Sequence, residues 1–334
     1  MVEPDPAAIA AHRDVVRGLA TPGGPLAADS PHSTMNNPAW FDPATGFTPE
    51  RRSLHRRIIA EHRATQPDVR QDRLAVVLAG PPGAGKSTAL QRVLGSTLTR
   101  YLHVDADDFK AALLEEARRD GTLESLKPPA VRELEQSGER FYPLELASLV
   151  HEESSRLAKR VRRDAIREGT NLVIDSVLKD PAAAEQMGAH LGAAGYQVRV
   201  IDVECSYDAS LARVAHRWDF SYRAALVDEG QALGGRWVPS EYVRGVFGGP
   251  EGRSWPEESA RRLAQTCAAV THYDVYRLAD GASVPERVTA LGRPRAGGPL
   301  VDIAAADAVR RAEAGRTSPP PDRGPTSRGR GFGR

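Results

Sequence analysis

A Gly-rich loop between an apolar run and a helical pattern constrains the fold of this chain more than any other segment. The loop has the spacing G-x-x-x-x-G-K-S and consists of Gly80, Pro81, Pro82, Gly83, Ala84, Gly85, Lys86, Ser87 and Thr88. In such a loop the backbone N–H groups surround phosphate oxygens, Lys86 reaches the β- and γ-phosphates, and the Ser87 hydroxyl can ligate Mg²⁺. Only five of the 45 basic residues are lysines, so composition does not explain a lysine here. The segment predicts a site for a nucleoside triphosphate and Mg²⁺.

Two further features favour a kinase over other nucleotide-binding proteins. A GTPase switch should carry a guanine-reading N-K-x-D motif, and the chain has none. A mechanical ATPase usually has four apolar residues followed by Asp-Glu, whereas Leu172-Val173-Ile174-Asp175 is followed by Ser176. We therefore expect ATP as the phosphoryl donor, and we expect Asp175 either to bind Mg²⁺ through water or to face the substrate.

Short apolar runs alternate with helical patterns from residue 74 onward. Strands are expected at residues 74–79, 101–104, 171–175, 197–203 and 272–277, and helices at 86–94, 107–119, 152–167, 181–194 and 208–217. Such alternation implies right-handed crossovers between parallel strands. The sequence therefore predicts an α/β protein of the P-loop kinase-like type, with a doubly wound parallel sheet and helices on both faces. Because ligands bind at the carboxyl ends of such strands, we expect residues 120–142 to form a substrate cap and residues 218–239 a closing lid.

Composition divides the chain into three parts. Residues 1–48 are rich in proline and lack a sustained apolar period, which predicts a disordered N-terminal arm. An amphipathic helix from residue 49 opens the predicted kinase domain, residues 49–283. Residues 284–334 are a C-terminal extension that ends, from residue 317, in a basic tail rich in Pro, Gly and Arg. We expect this tail to be disordered and to make at most weak contacts with RNA or acidic partners.

Charge and hydropathy exclude several classes of protein. The formal net charge of +1 provides no global field for binding nucleic acid or a membrane. The longest apolar run, residues 74–79, is far short of the roughly 20 residues of a membrane helix, and the N-terminus does not resemble a secretory signal. Cys205 and Cys267 are too few for a disulfide framework and have no partners at zinc-ligand spacing. We therefore expect a cytoplasmic protein.

Three carboxylates, those of Asp105, Asp107 and Asp108, follow the second predicted strand. They lie at the same edge of the predicted sheet as the Gly-rich loop. Phosphoryl transfer to a hydroxyl requires a carboxylate that orients the hydroxyl and accepts its proton, and Asp107 is our candidate. The alternative role for Asp107 is helix capping, since an Asp at a helix start satisfies free N–H groups. Asp105 is a candidate metal ligand, and we expect Asp108 to be a cap.

The order of these segments resembles the zeta toxin family. The resemblance rests on the Gly-rich loop, Asp105-Ala106-Asp107-Asp108-Phe109-Lys110, His151-Glu152-Glu153-Ser154-Ser155 and Asn171-Leu172-Val173-Ile174-Asp175, and it extends from about residue 49 to residue 280. The family consists of P-loop kinases that phosphorylate the sugar of UDP-N-acetylglucosamine. The resemblance therefore implies ATP and Mg²⁺ as cofactors and a UDP-sugar as substrate, and an antitoxin partner, if there is one, would cover the ATP cleft.

The resemblance also implies roles for individual side chains. Lys86 would hold the phosphates, and Asp107 would activate the sugar hydroxyl. An acidic residue at Glu153 would contact the substrate, with its neighbour Glu152 as the alternative, because two adjacent helical residues point about 100° apart. One departure concerns the sugar: Ser176-Val177 stands where family members often have Gly-Thr, and a valine cannot donate the expected hydrogen bond.

The predicted lid carries two arginines that resemble the nucleotide-clamping pair of the family. By local pattern these are Arg217 and Arg236, with Arg213, one turn earlier, as the competing choice. Gly234-Gly235 would give the lid hinge freedom. Two alternatives to a UDP-sugar kinase stay open at this point: a kinase of another small hydroxyl compound, such as a nucleoside or an antibiotic, and a nucleotide-dependent interaction module.

Overall fold

The computed structural model describes residues 5–228, 230–295 and 297–317. Within these residues the α-helices are Pro6–Leu19 (α1), Pro49–Ala64 (α2), Lys86–Leu94 (α3), Ala106–Asp120 (α4), Leu123–Leu126 (α5), Pro129–Gln136 (α6), His151–Glu168 (α7), Pro181–Ala193 (α8), Tyr207–Val227 (α9), Ser240–Val246 (α10), Trp255–Thr266 (α11) and Ile303–Thr317 (α12). The strands are Phe41–Asp42 (β1), Gly46–Phe47 (β2), Leu74–Ala79 (β3), Leu102–Val104 (β4), Leu172–Asp175 (β5), Gln197–Cys205 (β6), Val270–Leu278 (β7), Glu286–Gly292 (β8) and Val301–Asp302 (β9). Short 3₁₀ helices occupy Gly95–Arg100, Pro143–Val150 and Pro250–Gly252.

A seven-stranded sheet forms the centre of the molecule, in the order β4-β5-β3-β6-β7-β8-β9. The first five strands are parallel, and β8 and β9 add an antiparallel edge. Each parallel pair requires a crossover connection, and helices supply it. The predicted doubly wound parallel sheet is therefore confirmed for all five predicted strands. The antiparallel edge, which the sequence analysis did not predict, extends the sheet beyond residue 283, so the predicted domain boundary at that residue falls between two paired strands.

Helices cover both faces of the sheet because successive strand side chains point in opposite directions. Ala75 and Val77 of β3 pack in the larger core cluster, which includes Leu113 of α4. Val76 and Leu78 pack on the other face in a second cluster with α3. Every one of these β3 side chains is buried, as expected for a strand at the centre of a parallel sheet.

The N-terminal segment, residues 5–48, differs from the disordered arm that we predicted. Pro6 stands at the start of α1, where proline is tolerated because that N–H would be unpaired anyway. Ile9 and Val16 of α1 are buried in the main core, as is Leu26. The segment is held further along by a hydrogen bond from the Thr34 N–H to the Leu149 carbonyl, at 2.9 Å. Its proline content reflects a helix start and tight turns rather than absence of structure.

Helix α9 is longer than predicted, and it takes up part of the expected lid. The predicted helix ends at Arg217, whereas the helix in the structure continues to Val227. Trp218, Tyr222 and Ala225 recur at helical spacing and are buried, so the apolar period continues through the segment. Burial of these three side chains stabilises the helix through this segment, although polar residues separate them in the sequence.

Two remaining expectations concern the ends of the chain and membranes. The predicted disordered tail lies outside the described residues from residue 318 onward. Among the helices that are described, none combines the length and the hydropathy that a membrane crossing requires.

Candidate active site

The Gly-rich loop joins β3 to α3 and turns tightly at its glycines. Gly80 has φ +137°, and a Cβ atom there would lie 2.1 Å from the Val203 carbonyl oxygen, so no other residue fits. Gly85 is the N-cap residue of α3 and has a left-handed backbone conformation, with φ 96°. Because glycine has no side chain, it forms no cap hydrogen bond with the first N–H groups of α3. Free N–H groups at a helix N-terminus bind anions. The Lys86 ammonium lies within the loop, where it donates to the Gly80 carbonyl at 3.1 Å.

A cleft of about 860 Å³ opens at the carboxyl ends of the parallel strands. It brings together most of the predicted site residues, which are Pro82, Gly83, Gly85, Lys86, Ser87, Thr88, Asp105, Asp107, Asp175, Arg217 and Arg236. Gly80, Pro81 and Ala84 shape the loop from behind the cleft surface and do not line it. Val177 lines it, as does His151 at the start of α7. Residues more than 100 positions apart in sequence therefore face one cavity.

Asp107 is held between two cations. Its Oδ1 accepts a hydrogen bond from the Lys110 ammonium at 2.8 Å, and its Oδ2 pairs with the Arg236 guanidinium at 2.6 Å. Burial alone would raise the pKa of Asp107, but the charges of Arg236 and Lys110 outweigh burial and lower it. The carboxylate is therefore ionised at neutral pH. It is not the cap of α4, which removes the alternative role that we considered for it.

Lys110 is a site residue that the sequence analysis missed. Its side chain is buried, lines the cleft and contacts Asp107 one helical turn away. The signal was present in the sequence, because Lys110 is one of only five lysines in the chain. The scarcity of lysine that distinguishes Lys86 applies equally to Lys110.

Asp105, rather than Asp108, is the N-cap of α4. Its Oδ1 accepts a hydrogen bond from the Asp107 N–H at 2.9 Å, whereas Asp108 is exposed on the first turn. The predicted capping role of Asp108 is therefore wrong, since the helix begins at Ala106, one residue earlier than expected, and Asp108 lies inside its first turn. Burial and then the negative charges of Asp107 and Asp175 raise the pKa of Asp105 to about 6.

The residues of this edge fit a Mg²⁺ ion. Asp105, Asp175 and the hydroxyl residue Ser87 all line the cleft. Burial and then the neighbouring negative charges raise the pKa of Asp105, and a divalent cation would relieve the repulsion among the carboxylates. One or two carboxylates together with phosphate oxygens are the usual protein ligands of Mg²⁺.

The three candidate arginines all line the cleft but differ in their contacts. The Arg213 guanidinium donates to the carbonyls of Gly83 and Ser283, at 3.2 and 3.0 Å, and so supports the Gly-rich loop. Arg236 pairs with Asp107. Arg217 has no hydrogen-bond or ion-pair partner among the described residues. Arg217 is thus the guanidinium that is free to bind an anionic ligand, and Arg213 has a structural contact of its own.

The structure does not place Glu153 in the cleft. Glu153 is fully buried, and both of its oxygens accept hydrogen bonds from Arg51, at 2.6 and 2.9 Å, while His55 contacts Oε1 at 2.6 Å. Its face of α7 packs on α2, which the sequence analysis could not foresee. Glu152 does not line the cleft either, and its side chain is exposed. The predicted substrate contact on this helix is therefore replaced by a buried ion pair.

Gly234 and Gly235 are packing sites rather than a free hinge. A Cβ atom at Gly234 would lie 2.4 Å from the Tyr142 Cβ, and one at Gly235 would lie 2.6 Å from the Trp218 carbonyl oxygen. The preceding residue is tied down as well, because the Leu144 N–H donates to the Leu233 carbonyl at 2.8 Å. These glycines allow close approach of the Arg236 segment to the core.

The buried ion pair of Glu153 predicts a stability that is lost in acid. Burial would raise the pKa of Glu153, but the hydrogen bonds from His55 and Arg51 outweigh it and lower the pKa from 4.5 to about 2. A lowered pKa stabilises the fold above the unfolded value of 4.5, and the contribution disappears as the pH falls towards 2. Its size is about 3 kcal/mol, at about 1.4 kcal/mol per pKa unit.

We therefore expect Glu153→Gln to lower the free energy of unfolding at pH 7 by about 3 kcal/mol and to flatten its decrease below pH 4.5. Urea unfolding at several pH values measures both effects. Glu152→Gln is the matched control, because the neighbouring carboxylate is exposed. Equal stability of the two variants at pH 7 would contradict the assigned role of Glu153.

Comparison with known families agrees with this geometry. The family model described as Zeta toxin matches residues 59–284 of the chain. No curated protein sequence matches the chain significantly. The family match covers the Gly-rich loop, all five parallel strands and the three candidate arginines of the cleft. It begins after the N-terminal segment.

Several solved structures are similar to this one. The crystal structure of AvrRxo1-ORF1:AvrRxo1-ORF2 with sulphate ions gives a TM-score of 0.54 at 19% identity, covering 80% of this chain and 74% of that chain. The crystal structure of AvrRxo1-ORF1:-ORF2 with ATP gives a TM-score of 0.52 at 19% identity, with coverages of 79% and 73%. The structure from the PezAT chromosomal toxin-antitoxin system of Streptococcus pneumoniae gives a TM-score of 0.46 at 14% identity, with coverages of 78% and 86%. At these identities the first two structures show the shared fold.

Proposed function

This chain belongs to the zeta toxin family, and from that premise we propose that it is a kinase that transfers the γ-phosphoryl group of ATP to a hydroxyl group of a small molecule. The observation that carries the proposal is the position of Asp107. It is an ionised carboxylate in the same cleft as Lys86 and the uncapped N-terminus of α3. A phosphate cradle and a proton acceptor that share a cleft are what transfer to a hydroxyl requires. A module that only binds nucleotide requires the cradle alone.

The reaction assigns a role to each charged group. Asp107 orients the acceptor hydroxyl and takes its proton as the oxygen attacks the γ-phosphorus, while the bond from that phosphorus to the β-γ bridging oxygen breaks and ADP leaves. Lys86 and the unpaired Arg217 neutralise charge on the phosphates. Arg236 pairs with Asp107 in the structure, so transfer of this guanidinium to the incoming phosphates would free the carboxylate to act as the base. Lys110 then keeps Asp107 oriented.

Mg²⁺ would be held by Ser87, Asp105 and Asp175, the cleft residues whose chemistry fits it. When bound, it neutralises charge on the phosphate oxygens.

We propose UDP-N-acetylglucosamine as the first acceptor to test, on the strength of the family. The departure from the family pattern at Val177 bears on this choice, because Val177 lines the cleft and carries no hydroxyl. A missing hydrogen bond removes about 1 kcal/mol, which is about tenfold in affinity or less. The departure therefore weakens binding of the sugar without preventing the reaction.

We expect Val177→Thr to raise kcat/KM for UDP-N-acetylglucosamine by up to about tenfold, because the threonine hydroxyl supplies that hydrogen bond. Steady-state kinetics of sugar phosphorylation measure the change, with ATP hydrolysis in the absence of sugar as the reference. Val177→Ala is the control, since it alters the volume of the side chain without adding a donor. An equal effect of both substitutions would show that no sugar group is within reach of residue 177.

The experiment that tests the proposed function is incubation of the full chain with ATP, Mg²⁺ and a panel of UDP-sugars, nucleosides and aminoglycosides, followed by mass spectrometry. We expect one class of compound to gain the mass of a phosphate, and the gain to depend on Asp107. ATP binding without transfer to any hydroxyl compound would refute the kinase and favour a nucleotide-dependent interaction module.

An antitoxin partner that covers the ATP cleft stays a proposal that rests on the family. Helix α9, which carries Arg217 at the cleft, also exposes two large apolar side chains, Phe220 and Val227, further along.

A further inference from the structure

The N-terminal segment forms one wall of the cleft, although it lies outside the family match. Ala20, Pro22, Ala27, Ala28 and Asp29 all line the cavity, whereas the match to the family begins at residue 59. This wall is therefore an addition to the cleft that the family resemblance did not predict.

The wall is firmly attached to the kinase domain. In α1, the His12 Nε2 lies 3.0 Å from the Glu145 Oε1, and the buried Leu26 belongs to the main core. Burial alone would lower the pKa of His12, but hydrogen bonds with Glu145 and Glu139 outweigh it and raise the pKa. The protonated ring can donate to both carboxylates. Contacts of α1 and Leu26 with the core therefore hold residues 20–29 in position beside the cleft.

Asp29 is the only charged residue of this wall that lines the cleft in the described structure. It is exposed there and has no hydrogen-bond or ion-pair partner among the described residues. Other aspartates at turns and helix starts of this chain accept backbone N–H bonds, namely Asp5, Asp42, Asp120 and Asp180. Asp29 has no such structural task, since the adjacent turn is closed by the Ser30 hydroxyl.

Electrostatics determine which part of a ligand can lie against Asp29. A carboxylate repels the triphosphate, which the cationic side of the cleft attracts through Lys86 and Arg217. The wall is also tied to the 3₁₀ helix Pro143–Val150, because Thr34 bonds to Leu149. Ala147 and Ser148 of that 3₁₀ helix line the cleft, as does His151, which follows them in sequence. These residues lie on the side of the cleft where α4 carries Asp107. The Gly-rich loop lies against Arg213 instead, whose guanidinium donates to the Gly83 carbonyl at 3.2 Å.

Given the proposed kinase function, on which this step rests, we propose that Asp29 is an acceptor-binding residue that takes neutral hydrogen-bond donors, hydroxyl or amide N–H groups, of the molecule to be phosphorylated. The small side chains of Ala20, Ala27 and Ala28 leave room for that molecule beside the carboxylate. A polyhydroxyl compound with its anionic groups directed elsewhere fits this wall. A ligand with a phosphate at that position does not.

The test is steady-state kinetics of Asp29→Ala with UDP-N-acetylglucosamine, or with the hydroxyl compound that the parent phosphorylates fastest. We expect the KM for the acceptor to rise about 10- to 100-fold, as for loss of a hydrogen bond to a charged group, with kcat and the KM for ATP within about twofold of the parent. Asp29→Asn should lie between the two, since an amide oxygen still accepts. Asp14→Ala is the matched control, because Asp14 is an exposed carboxylate of α1 that pairs with Arg17 and does not line the cleft.

A second variant distinguishes an effect on acceptor binding from an effect on ATP binding. Ala28→Trp should fill the acceptor side and abolish phosphorylation, while affinity for a non-hydrolysable ATP analogue, measured by calorimetry, stays unchanged. Loss of ATP affinity in either variant would place the wall at the nucleotide and overturn the inference. An active parent with an unchanged acceptor KM in Asp29→Ala would overturn the inference alone, whereas a parent that phosphorylates no hydroxyl compound would refute the proposed function and the role of Asp29 together.

Discussion

Replacement of Asp107 by asparagine should lower the rate of phosphoryl transfer about 10²- to 10⁴-fold, which is the usual cost of losing a general base and corresponds to about 3 to 5.5 kcal/mol in the activation barrier. The amide keeps the shape of the side chain but cannot accept a proton from the acceptor hydroxyl. Affinity for ATP should stay within a few-fold of the parent, since Asp107 is not part of the phosphate loop. Single-turnover kinetics with ATP and calorimetry with an ATP analogue measure the two quantities separately.

Asp108→Asn is the matched control for this substitution. The residue is adjacent and acidic but exposed on the first turn of α4, so its replacement should leave transfer nearly unchanged. If Asp107→Asn retained the parent rate, the base would have to be sought at Asp105 or Asp175, two other carboxylates that line the cleft at the ends of strands.

Replacement of Lys86 by alanine should reduce kcat/KM for ATP by about 10³- to 10⁵-fold, by analogy with an arginine finger, which also neutralises charge on the transferring phosphoryl group. The ammonium is positioned inside the loop by the Gly80 and Pro81 carbonyls. Its loss removes a fixed charge opposite the β- and γ-phosphates, and water replaces such a charge poorly. Unlike Asp107→Asn, this variant should also bind ATP more weakly.

Lys159→Ala controls for the removal of a lysine, because Lys159 is exposed on α7 and does not line the cleft. Thermal unfolding of both variants shows whether the fold is intact. Normal turnover by a folded Lys86→Ala protein would refute the assignment of the Gly-rich loop as the phosphate site.

The local sequence determined the part of the site that is formed by residues adjacent in the chain. In the Gly-rich loop, Gly80 and Gly85 set the backbone, and Lys86 and Ser87 follow directly in α3, so spacing alone predicts their geometry. The same holds for the five parallel strands, since continuous apolar runs between helical patterns leave few other arrangements. Asp107 was predicted for a similar reason, as a carboxylate at the end of a strand beside that loop.

Only the tertiary structure decided where the long-range partners lie. Glu153 and Glu152 are equally acidic in the sequence, but the packing of α7 on α2 brings Arg51 and His55 to Glu153 and leaves Glu152 in solvent. The N-terminal segment has no continuous apolar period, and its structure depends on burial of Ile9, Val16 and Leu26 against a core formed much later in the chain. Such contacts join residues that are far apart along the chain. They contribute to stability only when both packing surfaces have formed. That is the physical reason why sequence pattern predicted the phosphate loop, whereas the wall containing Asp29 and the pairing of Asp107 with Arg236 required the folded molecule.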